Sequence, residues 1–155
     1  MYKKMLVPLD GSELSECSLE HVKAIASGCR VPEIVLLRVV EPLSAETVSA
    51  FAMAGDDLLR KAELDNQTEA KNYMVQIKNK LVNDGLAVEA VVVDGRAAEE
   101  ILDYAQSNEV DLIVMATHGK TGISRWFFGS VAQKVLQHSA VPVLMVSPPG
   151  CRISA

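Results

Sequence analysis

The chain has 155 residues, 49% of them hydrophobic and 23% charged, a balance typical of a single globular domain. Its formal net charge of −5 argues against nucleic acid or an anionic membrane as the main partner. Any phosphate group would have to be held locally, by backbone N–H groups and a few basic side chains.

Cysteine usage and hydropathy favour a cytoplasmic protein without membrane contact. Cys17, Cys29 and Cys151 have no metal-binding spacing, and we expect Cys17 to be a core residue and no structural disulfide to form. No apolar run approaches the length of a membrane span, and the first residues lead directly into a short apolar strand.

Strand and helix patterns alternate along the chain. Short apolar runs predict five strands, over residues 5–9, 34–40, 86–93, 112–116 and 141–146. Amphipathic spacing predicts helices after residue 12 to about residue 26, and over residues 58–83, 97–107 and 130–138. Residues 41–60 lack periodicity, and Pro42 and Gly55 favour a mobile excursion with a helical turn inside it.

This alternation predicts one α/β domain over residues 1–147, with a parallel sheet and helices on both faces, followed by a loose tail over residues 148–155. Ligands of such sheets bind beyond the carboxyl ends of the strands, where the strand order reverses. The loops after the first four strands are therefore the candidate site.

The fourth of these loops ends in Gly129-Ser130, which opens a helix. Free N–H groups and the positive end of the helix dipole make such a start suitable for an anion, and Lys120 and Arg125 could add charge. An ordinary helix start capped by the Ser130 side chain is the alternative. A Walker A loop is excluded because Val114 occupies the position of its first glycine, and a GxGxxG fingerprint is absent.

Two further residues at this edge have two interpretations each. Asp10, at the end of the first strand, could accept from a ribose hydroxyl or hold a phosphate-bound metal, or could cap the first helix with Ser12. Gly95, after the third strand, could contact phosphate or be a turn glycine.

Four blocks of sequence resemble the universal stress protein family. They are VPLDGS at residues 7–12, LLRVVE at 36–41, GRAAEEIL at 95–102, and the loop of residues 116–130 followed by VPVLMV at 141–146. The resemblance implies a Rossmann-like sheet of strand order 3-2-1-4-5, similar to the adenine nucleotide α-hydrolases. It also implies ATP as the ligand, with Mg²⁺ as the companion of its phosphates.

The ATP-binding branch of that family has the pattern Gly-x-x-Gly, nine residues, then Gly-Ser or Gly-Thr. Gly119, Gly129 and Ser130 fit this pattern, but Ala116 replaces the first glycine. Alanine is tolerable there if the backbone keeps β geometry. By resemblance, the nucleotide-binding residues are Pro8, Leu9, Asp10, Val39, Gly95, Met115, Ala116, Gly119, Gly129, Ser130 and Val131.

The last predicted strand is apolar throughout yet contains Pro142, which cannot donate to a ladder and therefore favours an edge position. An exposed apolar edge invites pairing. The family pairs this strand across a two-fold axis, so a homodimer through residues 141–146 is expected, with coverage by the tail or a loop as the alternative.

These features favour a regulatory protein that binds ATP and is read by a protein partner. A nucleotide-free dimeric scaffold and a slow ATP hydrolase are the alternatives. For ATP hydrolysis, His118 is the one side chain of the loop that could be considered as a catalytic group, and no dedicated catalytic residue is predicted.

Overall fold

A computed structural model of the chain describes residues 2–117 and 129–147. The strands in this part of the chain are β1 (Lys4–Pro8), β2 (Glu33–Val40), β3 (Val88–Asp94), β4 (Leu112–Ala116) and β5 (Val143–Val146). The helices are α1 (Glu13–Glu16), α2 (Ser18–Cys29), α3 (Ala45–Ala54), α4 (Asp56–Asn83), α5 (Ala97–Ser107) and α6 (Ser130–His138).

The five strands form one parallel sheet in the order β3-β2-β1-β4-β5. Strands β2 and β3 lie on one side of β1, whereas β4 and β5 lie on its other side. The point at which the strand order reverses therefore lies between β1 and β4. The predicted α/β class, the strand order and the parallel pairing are confirmed.

Each face of the sheet is covered by helices, because successive side chains of a strand point to opposite faces. In β2, Leu36 packs with residues of α2 and α4, whereas Leu37 packs with residues of α5 and α6. Both leucines are fully or almost fully buried. Burial on both faces explains why the central strands are continuous apolar runs rather than alternating ones.

The expectation of a mobile excursion over residues 41–60 is wrong. Ser44 caps α3 by accepting a hydrogen bond from the Thr47 N–H (3.2 Å), and α4 begins at Asp56. Helix α3 packs on α4, and its sequence AETVSAFAMA is apolar on nearly every side. It therefore shows no polar face by which periodicity could have revealed it.

The region around Cys17 also differs from expectation. The chain forms two helices there, α1 and α2, with Cys17 between them, instead of one helix to about residue 26. Cys17 is disulfide-bonded, and Cys29 is free. The expectation of an unpaired core cysteine at position 17 is therefore wrong.

Strand β5 lies at the sheet edge, as predicted from Pro142, but it begins at Val143 instead of residue 141. Pro142 has no N–H, and the Val141 N–H donates to the Ser139 Oγ (3.2 Å) instead of to a strand. Within the described residues, no helix is both long and apolar enough to span a membrane.

Candidate functional site

A cavity of about 450 Å³ opens at the carboxyl edge of the sheet, where β1 and β4 diverge. This is the position predicted from the strand order for a ligand. Its walls come from the ends of β1, β2 and β4, the loop after β1, and the first turns of α5 and α6. Its volume is within the usual range of small-molecule sites.

Nine of the eleven residues predicted to bind a nucleotide line this cavity: Pro8, Leu9, Asp10, Val39, Met115, Ala116, Gly129, Ser130 and Val131. Gly119 lies outside the described residues, as do His118, Lys120 and Arg125. Gly95 is not among the lining residues. The contribution of each residue to ligand binding stays a prediction.

Among the described residues, no side chain caps the first turn of α6. Gly129 is the N-cap residue, and its own N–H donates to the Thr117 carbonyl (2.9 Å). Ser130 is the first helical residue, so the alternative in which its side chain caps the helix is wrong. The N–H groups of Ser130, Val131 and Ala132 form no hydrogen bond with any described residue, and all three residues line the cavity.

Gly129 keeps this helix start accessible. Its φ of −57° is ordinary, so no left-handed conformation requires glycine there. Among the described residues, a Cβ at this position would have one neighbour within 4 Å, the Thr117 carbonyl oxygen at 3.4 Å. Glycine therefore leaves room in the cavity rather than allowing a turn.

Ala116 has the extended backbone of a strand residue. It is the last residue of β4, and it pairs with Val146 of β5. The condition under which alanine is tolerable at this motif position is therefore met. Its methyl group forms part of the cavity wall and causes no backbone strain.

Asp10 organises the loop between β1 and α1. Its Oδ1 accepts hydrogen bonds from the Ser12 N–H (2.9 Å) and the Ser12 hydroxyl (2.5 Å). Ser12 in turn caps α1 by accepting from the Ser15 N–H (3.1 Å). The structure thus contains the capping arrangement, in which Asp10 holds the cap residue, and it also places Asp10 on the cavity wall.

The first turn of α5 is occupied by the protein itself. The Glu41 carboxylate accepts a hydrogen bond from the Ala97 N–H (3.1 Å), the first helical residue. Gly95, just before this helix, has a φ of 148° and donates its N–H to the Val40 carbonyl (3.1 Å). Gly95 is therefore a turn glycine in this structure, and its N–H is not available to a phosphate.

Sequence reasoning missed two charged residues that line the cavity, Arg38 and Glu41. Both lie at the carboxyl end of β2, where a polar residue after an apolar strand is a signal for a site in a parallel sheet. The Glu41 contact joins residues 56 positions apart, so local sequence patterns do not reveal it. Among the described residues, no three His, Cys, Asp or Glu side chains are grouped as metal ligands.

Comparison with known proteins identifies relatives over the whole chain. Universal stress protein MJ0577 of Methanocaldococcus jannaschii is 38% identical over 155 residues, covering 94% of this chain and 95% of the relative. The solved structure of MJ0577 has a TM-score of 0.82 at 34% identity and covers 100% of this chain and 99% of its own.

Two more distant structures share the fold. A universal stress protein in complex with cAMP has a TM-score of 0.68 at 19% identity, covering 94% of this chain and 97% of its own. A family member from Arabidopsis thaliana with AMP bound has a TM-score of 0.66 at 18% identity, covering 94% and 91%. The model of the universal stress protein family matches residues 1–147, and the chain belongs to that family.

Proposed function

We propose that the cavity binds an adenine nucleotide, with ATP as the preferred ligand and its phosphates at the first turn of α6. The observation that carries this proposal is that Ser130, Val131 and Ala132 line the cavity and that their N–H groups form no hydrogen bond with any described residue. Such groups, with the positive end of the helix dipole, stabilise phosphate.

The remaining walls suit an adenosine group. Val39, Met115 and Ile101 are buried and offer apolar contacts to a purine ring. Asp10 lines the cavity with a carboxylate, a group that accepts from ribose hydroxyls and that also coordinates Mg²⁺ accompanying the phosphates. The Arg38 side chain adds a positive charge to the same wall.

Relatives support the ligand class. Proteins of the same fold are known in complex with cAMP and with AMP. Both ligands contain adenosine and phosphate. The apolar residues of the cavity suit the adenosine group, and the first turn of α6 suits the phosphate.

In this proposal the protein forms a homodimer and acts in the cytoplasm as a nucleotide-dependent regulatory module. Edge strand β5 presents Leu144 with 36% exposure, and pairing of β5 with its copy would cover this edge. A change of nucleotide would alter the surface around the cavity, and a regulatory protein partner would recognise that change. The extended backbone of Ala116 favours the nucleotide-binding alternative over a nucleotide-free scaffold.

Calorimetric titration with ATP, ADP, AMP and adenosine tests the ligand and its orientation together. Because the phosphates contact the α6 N-terminus, affinity should fall in that order, by about tenfold or more between ATP and adenosine. Equal affinity for ATP and adenosine would contradict the proposed position of the phosphates at the first turn of α6. Absence of binding to all four compounds would contradict the proposed ligand class.

Native mass spectrometry tests the assembly. A mass of two chains is expected, and Leu144→Lys, which adds charge to the β5 edge, should shift the population to one chain. Gln137→Lys, at an exposed position of α6, adds the same charge as a control and should leave the dimer intact. Dimers that tolerate Leu144→Lys would show that β5 is not the interface.

A further inference from the structure

The two helix starts that line the nucleotide cavity differ in charge. The first turn of α6 contains no acidic residue. The first turn of α5 contains Glu99 and Glu100, with Arg96 paired to Glu99 (3.4 Å), and the Glu41 carboxylate caps it at Ala97. Glu41 and Ala97 line the cavity together with the first turn of α6. One end of the cavity therefore suits phosphate, and the other end presents carboxylate oxygens, which accept hydrogen bonds and repel anions.

The Glu41 carboxylate can accept more hydrogen bonds than the protein supplies. One of its oxygens accepts from the Ala97 N–H (3.1 Å), and no other described residue donates to either oxygen. An ionised carboxylate has about four acceptor sites on its two oxygens. The contact with Ala97 therefore holds the carboxylate in place and leaves acceptor sites for a donor in the cavity.

The strand order places Glu41 at the base end of a bound nucleotide. Across the sheet, β2 is followed by β1 and then by β4, and neighbouring strands lie about 4.8 Å apart. Glu41 follows β2, Asp10 follows β1, and α6 follows β4. Base, ribose and phosphate follow one another in the same order within a nucleotide. With the phosphates at α6 and the ribose hydroxyls at Asp10, the base extends over the end of β2.

The walls at this end need a polar group to distinguish one base from another. Val39, two residues before Glu41, and Ile101, one turn after Ala97, are buried and line the cavity. Apolar contacts of this kind hold the faces of any purine ring, whereas a few polar groups at the ring edge give specificity. The exocyclic amino group of adenine is a donor, and a carboxylate is its complement.

On the basis of the nucleotide function proposed above, we propose that Glu41 is a specificity-determining residue of the cavity. Its carboxylate accepts a hydrogen bond from the exocyclic amino group of adenine while it caps α5 through Ala97. The same negative charge repels phosphate from the start of α5, so that the nucleotide binds in one orientation. The ligand class is thus a nucleotide whose base carries an amino group on the edge that faces Glu41.

Calorimetric titration with ATP and with purine riboside 5′-triphosphate tests the proposal, because the two compounds differ only in the amino group. The wild-type protein should bind ATP about fivefold or more tighter than the analogue. In Glu41→Gln this preference should fall to within about twofold. The single carboxamide oxygen is needed at the Ala97 N–H, and the carboxamide NH₂ group cannot accept from the base.

Glu63→Gln is the matched control. It removes the same charge from an exposed position of α4 that does not line the cavity, and it should keep the preference of the wild type. The ratio of the two affinities separates the two roles of Glu41, because a loosened start of α5 would weaken both ligands alike. Glu41→Gln should remain folded in urea titration, since its carboxamide oxygen can still accept from Ala97.

Equal affinity of the wild-type protein for the two triphosphates would overturn the proposal, and this result needs no variant. An unchanged preference for ATP in Glu41→Gln would overturn it as well. Both results leave the proposed nucleotide function intact, because ATP binds in each case. Absence of ATP binding to the wild-type protein would contradict the nucleotide function and the role of Glu41 together.

Discussion

Helices α5 and α6 both begin at the carboxyl edge of the sheet, and both contribute their first turns to the same cavity. The fold thus supplies two helix N-termini, each with a positive dipole end. At α5 the Glu41 carboxylate accepts from the first N–H. At α6 no side chain caps the helix, and the N–H groups of its first turn are unpaired among the described residues.

The glycines that precede these two helices, Gly95 before α5 and Gly129 before α6, also have different roles. Gly95 has a left-handed φ, and a Cβ on it would clash with the Glu100 side chain. Gly129 has an ordinary φ, and among the described residues a Cβ on it would meet only the Thr117 carbonyl oxygen, at 3.4 Å. Gly95 is needed for the backbone turn, and Gly129 leaves room in the cavity, so the two motif glycines have different structural reasons.

The difference between the two helix starts should disappear if α6 is given a carboxylate cap like that of α5. Gly129→Asp places a carboxylate where it can accept from the Val131 or Ala132 N–H, as a phosphate would. We expect ATP affinity to fall by about 100-fold or more from competition and charge repulsion, as measured by calorimetry. Urea unfolding of the nucleotide-free protein should show no loss of stability, because aspartate is a good N-cap.

Ser44→Asp is the control for added charge, since Ser44 is the N-cap of α3 and does not line the cavity. It should keep ATP affinity within about threefold of the wild type. Unchanged ATP affinity in Gly129→Asp would place the phosphates elsewhere.

Gly95→Ala tests the turn at the start of α5. The strained φ and the approach to Glu100 should reduce the free energy of unfolding by about 1–3 kcal/mol in urea. Gly28 lies inside α2, and its Cβ position meets no described atom within 4 Å apart from its chain neighbours and its own helix backbone, so Gly28→Ala should instead increase it by up to about 1 kcal/mol. Losses of equal size in the two variants would refute the distinction between them.

Glu41→Ala removes the cap of α5. The uncapped Ala97 N–H and the lost dipole interaction should lower stability by about 0.5–2 kcal/mol in the same urea assay. Glu63→Ala removes the same charge from an exposed position of α4 and should change stability by less than about 0.5 kcal/mol. A Glu41→Ala variant as stable as wild type would show that the carboxylate contributes nothing as a cap.

Ala116→Gly should have the smallest effect. The methyl group strains no backbone, so restoring the family glycine should change ATP affinity by less than about threefold in calorimetry. A large gain in affinity would show that the methyl obstructs the nucleotide.

The sheet was predictable because its central strands are buried on both faces and therefore appear as apolar runs. The strand order came from the resemblance to the family, since strand patterns alone do not determine order. Helix α3 was missed because its sequence is apolar on nearly every side and shows no polar face, and the break at Cys17 carries no glycine or proline signal.

The cavity was predictable in outline from the glycines and the strand ends. Its charged residues were not, because the Glu41 contact with Ala97 exists only after the chain folds. The interpretations of Gly95 and Ser130 both depended on which backbone groups were already paired, which the sequence does not encode locally.

The most direct test of the central claim is an ATP titration of ¹⁵N-labelled protein followed by amide NMR. We expect saturable shifts that are largest at the amides of Ser130, Val131 and Ala132, with small changes at Ala97 and Gly95. Shifts concentrated at the start of α5, with those of α6 unmoved, would contradict that claim.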